Sequence, residues 1–376
     1  MYVLTFIHNS SPSGESTDCG CASKMHMNAA SRRHRRDQVT SSTAKSCIAT
    51  GLLCVCLALP DANAEIEIPD QSDWTDRGLV IEAGSGWDKR LHGAISPTTV
   101  VKKNGIYFVY YIGADGDRST DGGPRNRALG VATSADGINF TKYAGNPVIT
   151  HVPHGNQEEG VFSAAATLSS TGEVVLYYGA LWASNSTTEQ VDVFVTLATS
   201  QDGFSFDNRG AKGEYAFAPD GDEVDPIGVM NIDNGWYVYY INNQGWKLNL
   251  LSGSNIENLF DAGSVSGTGG SAKGGGDPIY LSETEFVTFV DHYDSRDTLV
   301  LTGSTSSPND LNLVTRYDWG STEHNHTATY LDKERQVWLM YYLNKTKNAI
   351  GVKTAPMIDD GSVAQTPEPP LDLIAE

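Results

Sequence analysis

The sequence predicts an all-β chain folded as one five-bladed β-propeller, and three observations carry that prediction. One phrase recurs five times between Ile95 and Tyr342: a Ser, Thr, Asp or His step, an apolar run, a tight polar turn and an aromatic-rich run. The copies lead from Ser96, Ser163, Asp225, Asp277 and His326, at spacings of 67, 62, 52 and 49 residues. They occupy the chain from about Trp74 to Pro356 and leave no room for a second globular domain. The 38 glycines and short aromatic runs fit strands joined by many turns.

The segment before the repeats reads differently. All five cysteines (Cys19, Cys21, Cys47, Cys54 and Cys56) precede residue 60. A basic stretch from Arg32 to Arg36 is followed by an apolar run from Cys47 to Leu59 and by Ala62-Asn63-Ala64. That order describes a secretory signal peptide over residues 1–64, ahead of a propeller domain over 65–376, and hence a secreted or periplasmic protein. Its apolar run is short for a permanent bilayer anchor. Cleavage after Ala64 leaves a chain without cysteine, which excludes disulfides and thiol catalysis. The whole sequence carries a net charge of −20, and the leader is itself net basic, so the mature chain is more acidic still. Such a charge argues against nucleic acid or an anionic membrane as partner and favours a neutral ligand.

Each copy is read as a blade. The first hairpin turns fall at Lys102–Gly105, Ser169–Gly172, Asp233–Gly235, Ser282–Thr284 and Asp332–Arg335, all short and three of them ending in glycine. Turns between third and fourth strands hold Ser134-Ala135-Asp136-Gly137 and Ser200-Gln201-Asp202-Gly203, each followed by a phenylalanine, Phe140 or Phe206. There Asp is expected to bond its own turn, Gly to take positive φ, and Phe to plug the blade. Longer polar segments, such as 113–127, 151–160 and 263–276, lie at the opposite end. That upper end, where each inner strand begins, is the predicted binding face.

The candidate site residues follow from that placement. Asp225 and Asp277 each precede proline at the start of an inner strand, which displays the carboxylate instead of absorbing it in a ladder. Glu223 lies two residues before Asp225 and points the same way in extended chain. Glu159 enters blade two just ahead of Ser163. His326 begins the fifth inner strand and is read as a substrate contact, a proton donor, or a ligand of a metal ion or its water; its spacing carries no zinc motif. Otherwise no cofactor is expected. Trp182 and Trp246 fall in or beside the upper loops, where indole faces suit sugar C–H surfaces, as do Trp87 and Trp319. Arg90 enters blade one and is placed to bind a hydroxyl or carboxylate.

On the residues Ser96-Pro97 with NGIYFVYYIGA, ALGVATSADGINF with its counterpart TLATSQDGFSF, and the two Asp-Pro steps, residues 75–357 resemble the five-bladed β-propeller glycosidases of glycoside hydrolase families 43, 32, 117 and 130. The resemblance implies a carbohydrate substrate and carboxylates from different inner strands acting as general acid and as base or nucleophile. Carried over by position, Asp225 or Glu223 matches the acid on blade three. Blade one departs from the pattern, with Ser96 where these families place an Asp, and blade two offers Ser163. The expected function is therefore a glycoside hydrolase whose catalytic set is Asp225, Asp277, Glu223 and Glu159. His326, Arg90, Trp182, Trp246, Ser96 and Ser163 are its expected substrate contacts. The alternatives are a non-catalytic carbohydrate-binding propeller, favoured by Ser96, and a phosphorolytic relative.

Overall fold

The computed structural model describes residues 66–89, 95–114, 127–150, 160–183, 191–211, 217–218, 224–233, 235–242, 246–268, 272–292, 295, 297–320 and 325–358, with backbone alone at 181–183, 191–194, 211, 217–218, 273 and 325. The leader therefore lies outside the described residues. So do Arg90, Glu159 and Glu223 and the side chain of Trp182.

Five antiparallel sheets form the blades, in chain order around the ring. Blade one runs Ser96–Lys103, Ile106–Ala114, Arg127–Ser134 and Thr141–Lys142. Blade two runs Val161–Leu168, Val174–Ala183 and Val191–Ser200, and its fourth strand is split into Asp207–Ala211 and Phe217–Ala218. Blade three runs Val224–Ile232, Gly235–Asn242, Lys247–Asn255 and Asn258–Ser264. Blade four has a split inner strand, Ala272–Gly275 and Ile279–Tyr280, followed by Glu285–His292, Thr298–Ser304 and Ser307–Tyr317. Blade five is built from both ends of the propeller. Asn325–Asp332, Val337–Asn344 and Ala349–Pro356 take Thr75–Glu82 as their outermost strand, with Thr75 opposite Thr354 and Glu82 opposite Ala349. This pairing closes the ring and covers an edge that would otherwise be open. The only described helical turn is Gln71–Asp73.

Apolar side chains alternate along the strands toward the neighbouring blades, so the core is divided among the interfaces between blades. Between blades one and two lie Val101, Phe108, Leu129, Ala164 and Leu176; between five and one lie Val100, Val109, Leu339 and Ile350. The third-to-fourth-strand turns behave as read from sequence. Asp136 Oδ1 accepts the Ile138 and Asn139 amides at 2.9 and 2.7 Å, and Asp202 Oδ1 accepts those of Phe204 and Ser205. Gly137 and Gly203 hold φ of 75° and 82°. Phe140 and Phe206 pack edge-on against Tyr341 and Tyr110.

Four of the five aromatic runs carry a tyrosine pair, Tyr110-Tyr111, Tyr177-Tyr178, Tyr239-Tyr240 and Tyr341-Tyr342, and the structure gives the first member of each a role. The first tyrosine of each pair sits on its blade's second strand and donates its buried hydroxyl to the next blade, at or beside the turn between third and fourth strands. Tyr110 bonds Gly203 O at 2.9 Å, Tyr177 bonds Ile256 O at 2.8 Å, and Tyr341 bonds Gly137 O at 2.9 Å. Tyr239 bonds Pro308 O in the same way. Each bond ties one blade to the next and satisfies a carbonyl that packing would otherwise strand. Blade four breaks the series with Phe289. The blade it faces has no such turn, because the fourth strand of blade five arrives from the other end of the chain. Phe289 packs instead against Trp74, Tyr317 and Trp338.

Candidate functional site

Strand register fixes which residues share the upper rim of the central channel. In blade one Ser96 pairs with Ile112 and Pro97 with Tyr111, and a bulge then separates Pro97 from Thr99. In blade three Asp225 pairs with Ile241 and Pro226 with Tyr240, with the same bulge before Gly228. Ser96 and Asp225 are thus register equivalents, buried at 7% and 5% exposure. In blade two the bulge spans Val161 to Ala164 and contains Ser163, whose buried Oγ finds no hydrogen-bond partner among the described residues. In blade five the bulge lies between Asn325 and Thr327 and carries His326 at φ 55°.

Blade four departs from the expectation that its inner strand starts at Asp277. The strand starts at Ala272, and the rim position opposite Asp291 is held by Gly274. Gly275 and Gly276, at φ 71° and 113°, let the backbone leave the ladder before Ile279 rejoins it opposite Val287. Asp277 lies in that excursion, three residues below the rim, so the two Asp-Pro steps are not equivalent. Its carboxyl reaches blade one, where the Thr99 hydroxyl donates to Oδ1 at 2.9 Å and the Val100 amide also bonds the carboxyl. Thr99 Oγ1 in turn accepts the Ala166 amide of blade two at 3.1 Å. Asp277 is therefore a crossbar linking blades four, one and two inside the channel. Burial desolvates its charged form and lifts its pKa well above the ordinary carboxylate range, against the opposing bonds from Thr99 and Val100. Its Oδ2 is buried and has no hydrogen-bond partner among the described residues.

Sequence reasoning missed two supporting residues. Asp291, fully buried, accepts the Thr327 amide at 2.7 Å and the Thr298 hydroxyl at 3.0 Å. This anchors the bulge that presents His326. Gly274 leaves room for the imidazole, since a Cβ there would stand 2.8 Å from His326 Nδ1. The one signal available was the glycine run 274–276 ahead of the proline, which marks a broken strand.

The tryptophans divide. Trp246 is partly buried against the apolar cluster between blades three and four. Trp319 donates its indole N–H to Thr298 Oγ1 at 3.1 Å and packs on Tyr317. Trp87 stacks on Tyr111, and the neighbouring Asp88 is held by Lys142 at 2.6 Å and by the Gly84 amide. Described contacts thus tie Trp87, Trp319 and Trp246 into the walls, and Asp88 with them.

At the opposite, lower end the channel opens into a cavity of about 670 Å³ bounded by the inner strands of all five blades and the hairpin turns of blades one and five. Asp277 and Thr329 line it. A cluster at its mouth joins blades five and one. Asp332 accepts Lys102 Nζ at 2.9 Å and the Tyr107 hydroxyl, Lys102 also meets Glu334 at 2.8 Å, and Arg335 donates to Tyr107. Although burial desolvates the Asp332 carboxylate, the bonds from Tyr107 and Lys102 hold its pKa below the usual range.

No protein-family model and no curated protein sequence matches the chain. Solved structures do. A candidate glycosidase from Bacteroides thetaiotaomicron superposes with a TM-score of 0.55 at 14% identity, covering 77% of this chain and 99% of that one. A β-1,2-mannobiose phosphorylase from Listeria innocua, in complex with β-1,2-mannobiose, gives 0.51 at 14% identity over 79% and 95%. A variant of the Bombyx mori GH32 β-fructofuranosidase, in complex with sucrose, gives 0.50 at 15% identity over 75% and 63%. The chain has the fold of the five-bladed propeller glycosidases. At these identities the likeness is one of architecture, and the chemistry is argued from the chain's own residues.

Proposed function

We propose that this protein is a secreted glycoside hydrolase that cleaves an oligo- or polysaccharide at the upper mouth of its channel, with Asp225 as general acid. The observation that carries the reading is the buried Asp225 side chain at the rim of the inner strand of blade three, in a fold shared with sugar-processing enzymes. A carboxyl at that position is placed to donate to a departing glycosidic oxygen. Glu223 or Glu159 supplies the second carboxylate, activating water or attacking the sugar directly. His326, carried on the Asp291-anchored bulge, contacts substrate from blade five. Asp277 braces the channel from beneath through Thr99.

The test is release of reducing ends from a panel of neutral oligosaccharides. Asp225→Asn should lower turnover by about 10²–10⁴-fold with the melting temperature unchanged, because the amide keeps the shape but cannot donate the proton. Undiminished turnover in that variant removes Asp225 from the mechanism.

One observation favours a second reading, a binding propeller. Ser96 holds in blade one the register position that Asp225 holds in blade three, so a hydroxyl stands where a second carboxylate could have stood. Sugar binding by calorimetry without cleavage of any panel member, with or without added phosphate, selects that reading. Cleavage only with phosphate selects the phosphorolytic one.

A further inference from the structure

We propose a second ligand site, at the lower mouth of the channel, that takes a small neutral polyhydroxyl compound such as a monosaccharide, disaccharide or alditol. The cavity there, about 670 Å³, falls within the range of small-molecule sites. Two residues that line it each carry a buried polar atom without a hydrogen-bond partner among the described residues: Asp277, 8% exposed, at Oδ2, and Thr329, 3% exposed, at Oγ1. Leaving such atoms unpartnered is unfavourable, and a hydroxyl-bearing guest that reaches both removes that penalty.

The chemistry of the guest follows from the lining. Thr99 already donates to Asp277 Oδ1 from blade one, and burial raises the pKa of that carboxyl. The other edge, Oδ2, has no hydrogen-bond partner among the described residues and suits a guest hydroxyl, which can donate or accept. Thr329 both donates and accepts. Tyr280 and Tyr330, half-buried, give the wall ring surface on two blades. The charged groups of the lining balance: Lys102 and Lys333 against Asp332 and Glu334, with Lys102 already paired to both acids. With equal numbers of lysines and acids at the mouth, the net charge there does not select a charged guest. The site is independent of the proposed hydrolysis, since Asp225 does not line it.

The experiment is isothermal titration of the full chain, carrying Asp225→Asn to silence turnover, with glycerol, xylitol, glucose and sucrose, and with glucuronate as the charged counterpart. At least one neutral probe should bind. Thr329→Val, which keeps the shape and removes the hydroxyl, should weaken that binding about tenfold. Thr167→Trp, which fills the mouth from blade two, should abolish it. Circular dichroism and melting temperature report whether each variant folds, and either folded variant alone decides the matter. The proposal is overturned if no neutral probe binds, if a folded Thr329→Val or Thr167→Trp binds as the parent does, or if glucuronate binds as tightly as glucose. A soaked crystal with only water in the cavity overturns it as well.

Discussion

Replacing Asp277 by asparagine isolates the energetics of the crossbar. The folded carboxyl keeps its proton well above the ordinary range, whereas in the unfolded chain it ionises near the model-peptide value of about 3.9. Below that value both states are protonated and the favourable contribution is fully present. Above it the unfolded state binds one proton fewer, so stability drains away as pH rises, until the folded group also ionises. The slope for one proton is about 1.4 kcal/mol per pH unit. Asparagine has no proton to lose and still accepts from Thr99 through its carbonyl oxygen. Unfolding in urea, followed by tryptophan fluorescence from about pH 4.5 to 6.5, should show the two proteins diverging. The variant should gain on the wild type by about 1.4 kcal/mol for each unit over which the folded acid stays protonated. The remaining carboxylates are common to both and cancel in the difference. Parallel stability curves would refute the reasoning, because they would mean that Asp277 ionises in the folded protein as it does in water.

Tyr110→Phe removes the hydroxyl bonded to Gly203 O and should cost about 1–3 kcal/mol, read as a melting temperature lower by about 2–4 °C per kcal/mol, whereas Phe289→Tyr should bring no gain. Asp332 responds to acid with the opposite sign from Asp277: its folded pKa is depressed, so its contribution is present above about pH 3.9 and lost as pH falls through the folded value. Asp332→Asn should therefore flatten the acid limb of the stability profile measured by urea unfolding. Gly274→Ala should displace the His326 ring while leaving the fold intact, visible as a shifted imidazole resonance in NMR and a raised KM on any cleaved glycan. An unmoved resonance would mean that the ring does not depend on that gap.

The ring was legible in the sequence because each blade repeats the same hydrogen-bonding and packing problem and solves it with the same residues. Asp136 and Asp202 in their turns, Phe140 and Phe206 behind them, and the tyrosine pairs 14 residues after Ser96, Ser163 and Asp225 all carried it. Blade four misled because Asp277-Pro278 reads like Asp225-Pro226. The three glycines upstream mark a broken strand, but only the ladder register shows that Asp277 lies three residues down the channel. Thr99 as the partner of Asp277 was out of reach for the same reason: 178 residues separate them, and only closure of the ring brings them together. Trp246 packs against a cluster drawn from blades three and four, and that mixture of distant stretches is not written in its own segment.

Phe289 has a meaning that reaches beyond its own packing. Wherever a tyrosine stands at this position, the blade that follows is continuous from its third strand to its fourth. Where the hydroxyl is missing, the following blade is the one assembled from two distant stretches of chain. The missing oxygen atom therefore marks the seam of the ring. If the chain were recut so that it opened at Gly203, the seam would move to blade two and Tyr110 would lose its acceptor. The neighbour of the new seam would then tolerate phenylalanine without loss, while a newly continuous blade five would reward tyrosine at residue 289.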